Sequence, residues 1–184
     1  MDLFVPLAEG FEEIEAITII DVLRRADINV ITVSLNEKKV KGAHGIEVIA
    51  EESLEVLADR DFAGIILPGG MPGAENLKNN KRLIKIIKEL FANKKLIGAI
   101  CAAPIVLQEA GIIKNKDITS YPGFDKELFN CNYKTERVVR DDNIITSRGP
   151  GVALEFSISI VEYLKDEEIA RKLMENMITN FNRF

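Results

Sequence analysis

Short apolar runs alternate with helical patterns along the chain. Residues 3–7, 28–35, 63–67 and 96–100 are almost continuously apolar and too short for helices, the pattern of strands buried on both faces. Residues 118–119 and 144–147 are shorter strand candidates. Between the strands, helices are predicted over 12–26, 81–92, 102–110 and 152–164, with a last one over 167–177. Residues 40–51 carry Gly42, Gly45 and a Val-Ile pattern, and read as a hairpin or edge ribbon. The β-α-β order predicts an open α/β fold: a mostly parallel sheet with helices on both faces, in one domain over residues 1–184. Ligands of such sheets bind beyond the carboxyl ends of the strands. Three segments meet there: loops 8–11 and 68–73, and the turn at Cys101.

The pattern breaks at one position of the first helix. At 100° per residue, Glu13, Thr18, Asp21, Arg24 and Arg25 share a polar arc, interrupted by Ile14 and Ile17. Val22, Ala26, Ile19, Leu23, Ala16 and Ile20 share the other arc, and Glu15 falls inside it. A carboxylate there must find a partner or hold its proton. Its place near the helix start, by a strand's carboxyl end, fits a site residue; a satisfied structural carboxylate fits the same position.

Cys101 lies between the predicted strand 96–100 and the predicted helix 102–110, in which Pro104 suits the first turn. A thiol at a helix start is expected to favour its thiolate. The alternative is a small buried hydrophobe. Leu67-Pro68-Gly69-Gly70-Met71-Pro72-Gly73 follows a buried strand. Its backbone N–H groups at Gly69 and Gly70, with that of Ala102, can form an oxyanion hole, or the glycines can serve a tight turn alone. The segment lacks the Lys-Ser/Thr ending of a phosphate loop. Arg148, in Thr146-Ser147-Arg148-Gly149-Pro150-Gly151, can bind an anion at a helix start or pair with Glu155. His44 is the single histidine, and no Cys/His cluster has metal-ligand spacing.

Composition narrows the setting. The chain has 184 residues, 47% of them hydrophobic, enough for a sizeable core. No run approaches a membrane span, and residues 1–5 lack the basic start of a signal peptide. Two cysteines without a signal point to the cytoplasm and against a Cys101–Cys131 bridge. The net charge of −5, with no basic patch, argues against nucleic acid as a partner.

Five segments, in order over nearly the whole chain, resemble the ThiJ/PfpI superfamily, in the branch of the Parkinson-disease-associated protein deglycase. They are Glu9-Gly10-Phe11-Glu12-Glu13-Ile14-Glu15, Leu67-Pro68-Gly69-Gly70, Gly73-Ala74-Glu75-Asn76-Leu77, Ala99-Ile100-Cys101-Ala102-Ala103-Pro104 and Thr146-Ser147-Arg148-Gly149-Pro150-Gly151. The resemblance implies a flavodoxin-like three-layer sandwich and a homodimer. It implies a nucleophilic, redox-sensitive Cys101 with Glu15 as its protonated partner, and substrate-facing N–H groups at Gly70 and Ala102. Where many members carry a histidine near the cysteine, this chain has Ser120-Tyr121-Pro122, so Tyr121 takes that place. Protease-like members carry histidine directly after the cysteine; Ala102 here argues against a peptidase. His44 aligns with an arginine that in relatives reaches the partner subunit's site. The function implied is cofactor-free, cysteine-dependent conversion of small aldehydes or dicarbonyls such as methylglyoxal, as a glyoxalase or deglycase. The alternative is a non-catalytic oxidative-stress sensor or redox-regulated chaperone that uses Cys101 oxidation.

Overall fold

The computed structural model describes residues 2–57 and 61–179. In chain order the elements are β1 (Asp2–Leu7), α1 (Glu13–Arg25), β2 (Asn29–Ser34), β3 (Lys39–Lys41), β4 (Glu47–Ile49), β5 (Glu52–Ser53), β6 (Gly64–Leu67), α2 (Gly73–Asn79), α3 (Lys81–Ala92) and β7 (Leu96–Ile100). There follow α4 (Pro104–Glu109), β8 (Asp117–Ile118), β9 (Asn132–Tyr133), β10 (Val138–Asp141), β11 (Ile144–Ser147), α5 (Ala153–Leu164) and α6 (Glu167–Asn176). The main sheet has the order β10-β11-β7-β6-β1-β2-β5. Its strands pair in parallel except at β10, which closes one edge antiparallel to β11. This is the flavodoxin-like arrangement, with helices on both faces.

Strand alternation explains why both faces are apolar. Phe4, Ile65, Leu67, Ile97 and Ala99 join the core under α2, α3 and α4. Leu3, Val5, Leu7, Ile66, Leu96 and Ile100 join the core under α1, α5 and α6. Helix α3 is amphipathic, with Leu83, Ile84, Ile87 and Leu90 buried, and Asn80 caps it by accepting the Leu83 N–H at 3.0 Å.

Register sets the height of the functional loops. Ile100 pairs with Ser147 and Ala99 with Leu67. The residues that follow, Pro68, Cys101 and Arg148, therefore leave the sheet at nearly one level, and β1 ends beside them.

Two expectations change, and two elements, α2 and β10, form where none was expected. The 118–119 strand forms as Asp117–Ile118 but pairs with β9 in a separate ribbon, outside the main sheet. The helix expected over 102–110 begins only at Pro104, because residues 101–103 are used in the turn that leaves β7. Helix α2 starts on Gly73, a poor helix former that hid it. Strand β10 is an edge with alternating exposure, Val139 inward and Arg140 outward, which leaves a weak apolar signal. The 40–51 ribbon forms as β3 and β4, paired antiparallel.

Candidate active site

Cys101 sits on a sharp turn with φ of 63°, in the left-handed region that L-residues rarely occupy. Its backbone is tied on both sides. Its N–H donates to the Ser147 carbonyl at 2.9 Å, and its carbonyl accepts the Tyr121 N–H at 2.9 Å. The elbow is thus fixed by the end of β11 and by the loop after β8, and the strain is held by the surrounding fold.

Glu15 is fully buried on α1, as its place in the apolar arc predicts. Its Oε2 accepts the Gly69 N–H at 2.7 Å. The other oxygen, Oε1, is buried with no hydrogen-bond partner among the described residues, and the carboxyl interacts with the Cys101 side chain. Gly69 allows this approach. A Cβ there would lie 2.6 Å from Cys101 Cβ and 2.9 Å from Glu15 Oε2, so any side chain would wedge the pair apart. At Gly70, φ is +87°, and a Cβ would lie 2.3 Å from the Glu12 nitrogen. Both positions require glycine for close approach.

Burial pushes the Glu15 carboxyl up to about 7, against the hydrogen bonds from Gly69 and Cys101 that favour its anion. Burial, and then the facing Glu15 carboxylate, push the Cys101 thiol up to about 12; N–H groups of Gly70 and Ala102 aimed at the sulfur oppose this. The expected low-pKa thiolate is therefore corrected. A six-residue helix that starts at Pro104 does not outweigh the burial of the thiol and the carboxylate beside it. Near neutrality the two groups carry at most one negative charge between them, since two adjacent buried anions repel.

The remaining candidates divide. Tyr121 is half-exposed, and its ring lies over Gly149, where a Cβ would come within 3.1 Å of Tyr121 Cδ2. Through its backbone bond to Cys101 it belongs to the elbow. Arg148 donates from Nη1 to the Thr135 carbonyl at 2.9 Å, while Glu155 pairs with Arg137 at 2.7 Å, so the Arg148–Glu155 pairing does not form. His44 is exposed on the β3–β4 ribbon and is committed to Glu13. Its Nδ1 lies 2.9 Å from Glu13 Oε2, and its N–H donates to Glu13 Oε1 at 2.7 Å. Glu13 also accepts the Ile46 N–H at 3.3 Å and is buried beneath the ribbon. Burial raises the Glu13 pKa, but the bonds from His44 and the backbone prevail and lower it; the His44 pKa is raised by Glu13 first and then by Glu12. Glu12, Glu13 and His44 place three ligand-type atoms within 4.8 Å of one another, an arrangement that these hydrogen bonds already account for. Glu12 is a contributor that pattern reasoning missed. Its N–H donates to the Gly69 carbonyl at 2.9 Å, and its charge adds to the upward push on Glu15.

A thiol on a strained elbow, a buried carboxyl and convergent backbone N–H groups lie together, an arrangement that can support nucleophilic chemistry. No helix among the described residues is long and apolar enough to cross a membrane.

The chain is similar to several known proteins. The chain is 39% identical over 173 residues to protein DJ-1 homolog A of Arabidopsis thaliana, covering 93% of this chain and 44% of that protein. It thus spans less than half the length of that relative. To protein dj-1beta of Drosophila melanogaster it is 37% identical over 182 residues, 97% of each. A Caenorhabditis elegans relative named glutathione-independent glyoxalase DJR-1.2 is 36% identical over 168 residues, 91% of this chain and 90% of that one. The solved structure described as Toxoplasma gondii DJ-1, oxidized, superposes with a TM-score of 0.94 at 35% identity, covering 98% of this chain and 99% of that one. With residues 1–163 matching the family itself, over a span that holds Glu15, the Gly69–Gly70 turn, the Cys101 elbow and Arg148, this chain belongs to the DJ-1/PfpI family.

Proposed function

We propose that this chain is a cofactor-free cysteine enzyme that converts small reactive dicarbonyls such as methylglyoxal to hydroxy acids, a reaction that would also underlie deglycase-like action. The observation that carries the reading is the Glu15 carboxyl. It is buried against Cys101, held at about 7, anchored through Oε2 and spare at Oε1. A general acid–base works best with a pKa near the working pH. The relative named as a glyoxalase supports the same reading.

In this mechanism the Cys101 sulfur adds to the aldehyde carbon while its proton passes through Glu15 to the aldehyde oxygen, giving a hemithioacetal. With the thiol proton passed on, Glu15 is left ionised and acts as a base. Glu15 removes the proton on the former aldehyde carbon. That electron pair forms the carbon–carbon double bond of an enediol as the ketone oxygen takes up a proton from water. Glu15 returns its proton to the ketone carbon, and the hydroxyl proton of the other carbon passes to water. The first carbon becomes a thioester, oxidised by the same two electrons that reduce its neighbour to an alcohol. Water then cleaves the carbon–sulfur bond, releasing lactate and the thiol. The N–H groups of Gly70 and Ala102 stabilise the oxygen that carries charge along the way, and Tyr121 borders the elbow from the open side.

The second reading is a stress sensor or redox-regulated chaperone in which Cys101 is oxidised and nothing turns over. The oxidised state of the Toxoplasma gondii structure favours it. Incubation with methylglyoxal decides between the two. Lactate production that is lost in Cys101→Ser is expected; no lactate above that variant would leave the sensor reading.

The homodimer is part of this proposal. Ile14 and Ile17 on α1 are 58% and 45% exposed, and Ile46 and Ile49 on the ribbon 57% and 75%. Isoleucines so exposed on neighbouring elements suit burial against a second copy. Light scattering should give twice the chain mass, falling to the single mass in Ile17→Asp; a single mass for the unaltered chain would refute it. The free thiols Cys101 and Cys131 suit a reducing compartment such as the cytoplasm; cell fractionation that placed the chain in an oxidising compartment would contradict this.

A further inference from the structure

A cavity opens at the carboxyl end of the sheet, and Cys101 is not among the residues that line it. It measures about 510 Å³ and lies over the ends of β1 and β2, between the segment after β2 and helix α2. That volume is in the range of small-molecule sites, and the carboxyl edge is where open α/β sheets take ligands. Its floor is apolar: Leu7, Ala8, Leu35 and Val40. Its rim carries four carboxamides, from Asn36, Asn76, Asn79 and Asn80.

The hydrogen-bond account of that rim leaves both donors and acceptors unused. Asn76 Nδ2 donates to the Glu9 carbonyl at 2.9 Å, which leaves its Oδ1 to accept. Asn79 Nδ2 donates to Glu75 Oε1 at 3.3 Å, leaving its Oδ1 likewise. Asn80 Oδ1 caps α3, which leaves its Nδ2 to donate. The Asn36 carboxamide has no partner at either end among the described residues. The one lysine of the lining, Lys39, is held by Glu47 at 2.8 Å, and Glu9 and Glu37 add negative charge. Anions are therefore repelled. A ligand whose groups both donate and accept, on a frame with an apolar face, matches this lining.

We propose that this cavity binds a neutral polyhydroxylated molecule, a sugar or polyol, with its carbon face on Leu7, Ala8, Leu35 and Val40 and its hydroxyls on the asparagine rim. The site needs neither Cys101 nor Glu15. Backbone amide NMR during titration with D-glucose, D-ribose or glycerol tests it, with spermidine and inorganic phosphate as charged probes. Saturable shifts at residues 35–39 and 76–80 with a millimolar Kd are expected for at least one polyol. In Asn36→Leu and Asn79→Leu, both on exposed side chains that leave the core intact, the affinity should drop roughly fivefold or more. Three results would overturn the proposal: no saturable shift with any polyol, tighter binding of spermidine or phosphate at the same residues, or shifts confined to residues 69–70 and 100–102.

Discussion

Replacing Glu15 by Gln should move two measurements in opposite directions. Turnover of methylglyoxal should fall by about 10²-fold or more, because a carboxamide cannot carry a proton between sulfur, oxygen and carbon. Alkylation of Cys101 by iodoacetamide at neutral pH should instead become faster, by roughly tenfold or more. The facing carboxylate is a cause, after burial, of the thiol's rise to about 12, and Gln removes that charge while the N–H groups of Gly70 and Ala102 still favour the thiolate. Gln can keep the Gly69 bond through its carbonyl oxygen, so the shape of the site is retained. Slower labelling would mean that Glu15 activates the thiol as a base. Unchanged turnover would leave Glu15 a structural group.

The stability of the chain should fall as pH rises through neutrality, and Glu15 is the cause. Its folded pKa of about 7 lies above the ordinary value of 4.5. The folded state therefore holds a proton that the unfolded state releases across that interval. This contribution is fully present below pH 4.5 and is lost as pH climbs past about 7, and its size is about 3 kcal/mol. Urea unfolding from pH 4.5 to 8 measures it. His44, raised in the same direction, adds a slope of the same sign, while Glu13, Glu51 and Asp141, all lowered, act in the acid range. The difference between the unaltered chain and Glu15→Gln isolates the Glu15 part. Parallel pH profiles for the two proteins would show that folding leaves the Glu15 pKa at its ordinary value.

Local periodicity carried much of the fold. Strands 96–100 and 144–147 and the helix over 81–92 form with the bounds that the sequence predicts, because β7 and β11 are buried on both faces and α3 presents a single apolar stripe. Elements without such a signal escaped: α2 opens on glycine, and β10 is a half-exposed edge. Glu15 was legible for a related reason. One carboxylate in an apolar arc stands out because burial forces a choice between a partner and a proton.

What surrounds those residues had no local signature. Glu13 lies on the polar arc of α1, yet it is buried, because the β3–β4 ribbon folds over it and supplies His44 and Ile46 as donors. Arg148 turns to Thr135, and Arg137 takes Glu155. The charge state of Cys101 changed most between sequence and structure. By itself, the sequence determined the alternation of strands and helices, the turn that carries the thiol and the misfit of Glu15, since each is fixed by residues within a few positions. Only the tertiary structure decided that α1 and β7 bring carboxyl and thiol together across the Gly69 turn. Burial of both groups, and then the repulsion between two like charges, exceed what the backbone N–H groups near the sulfur supply, and the pair keeps a proton.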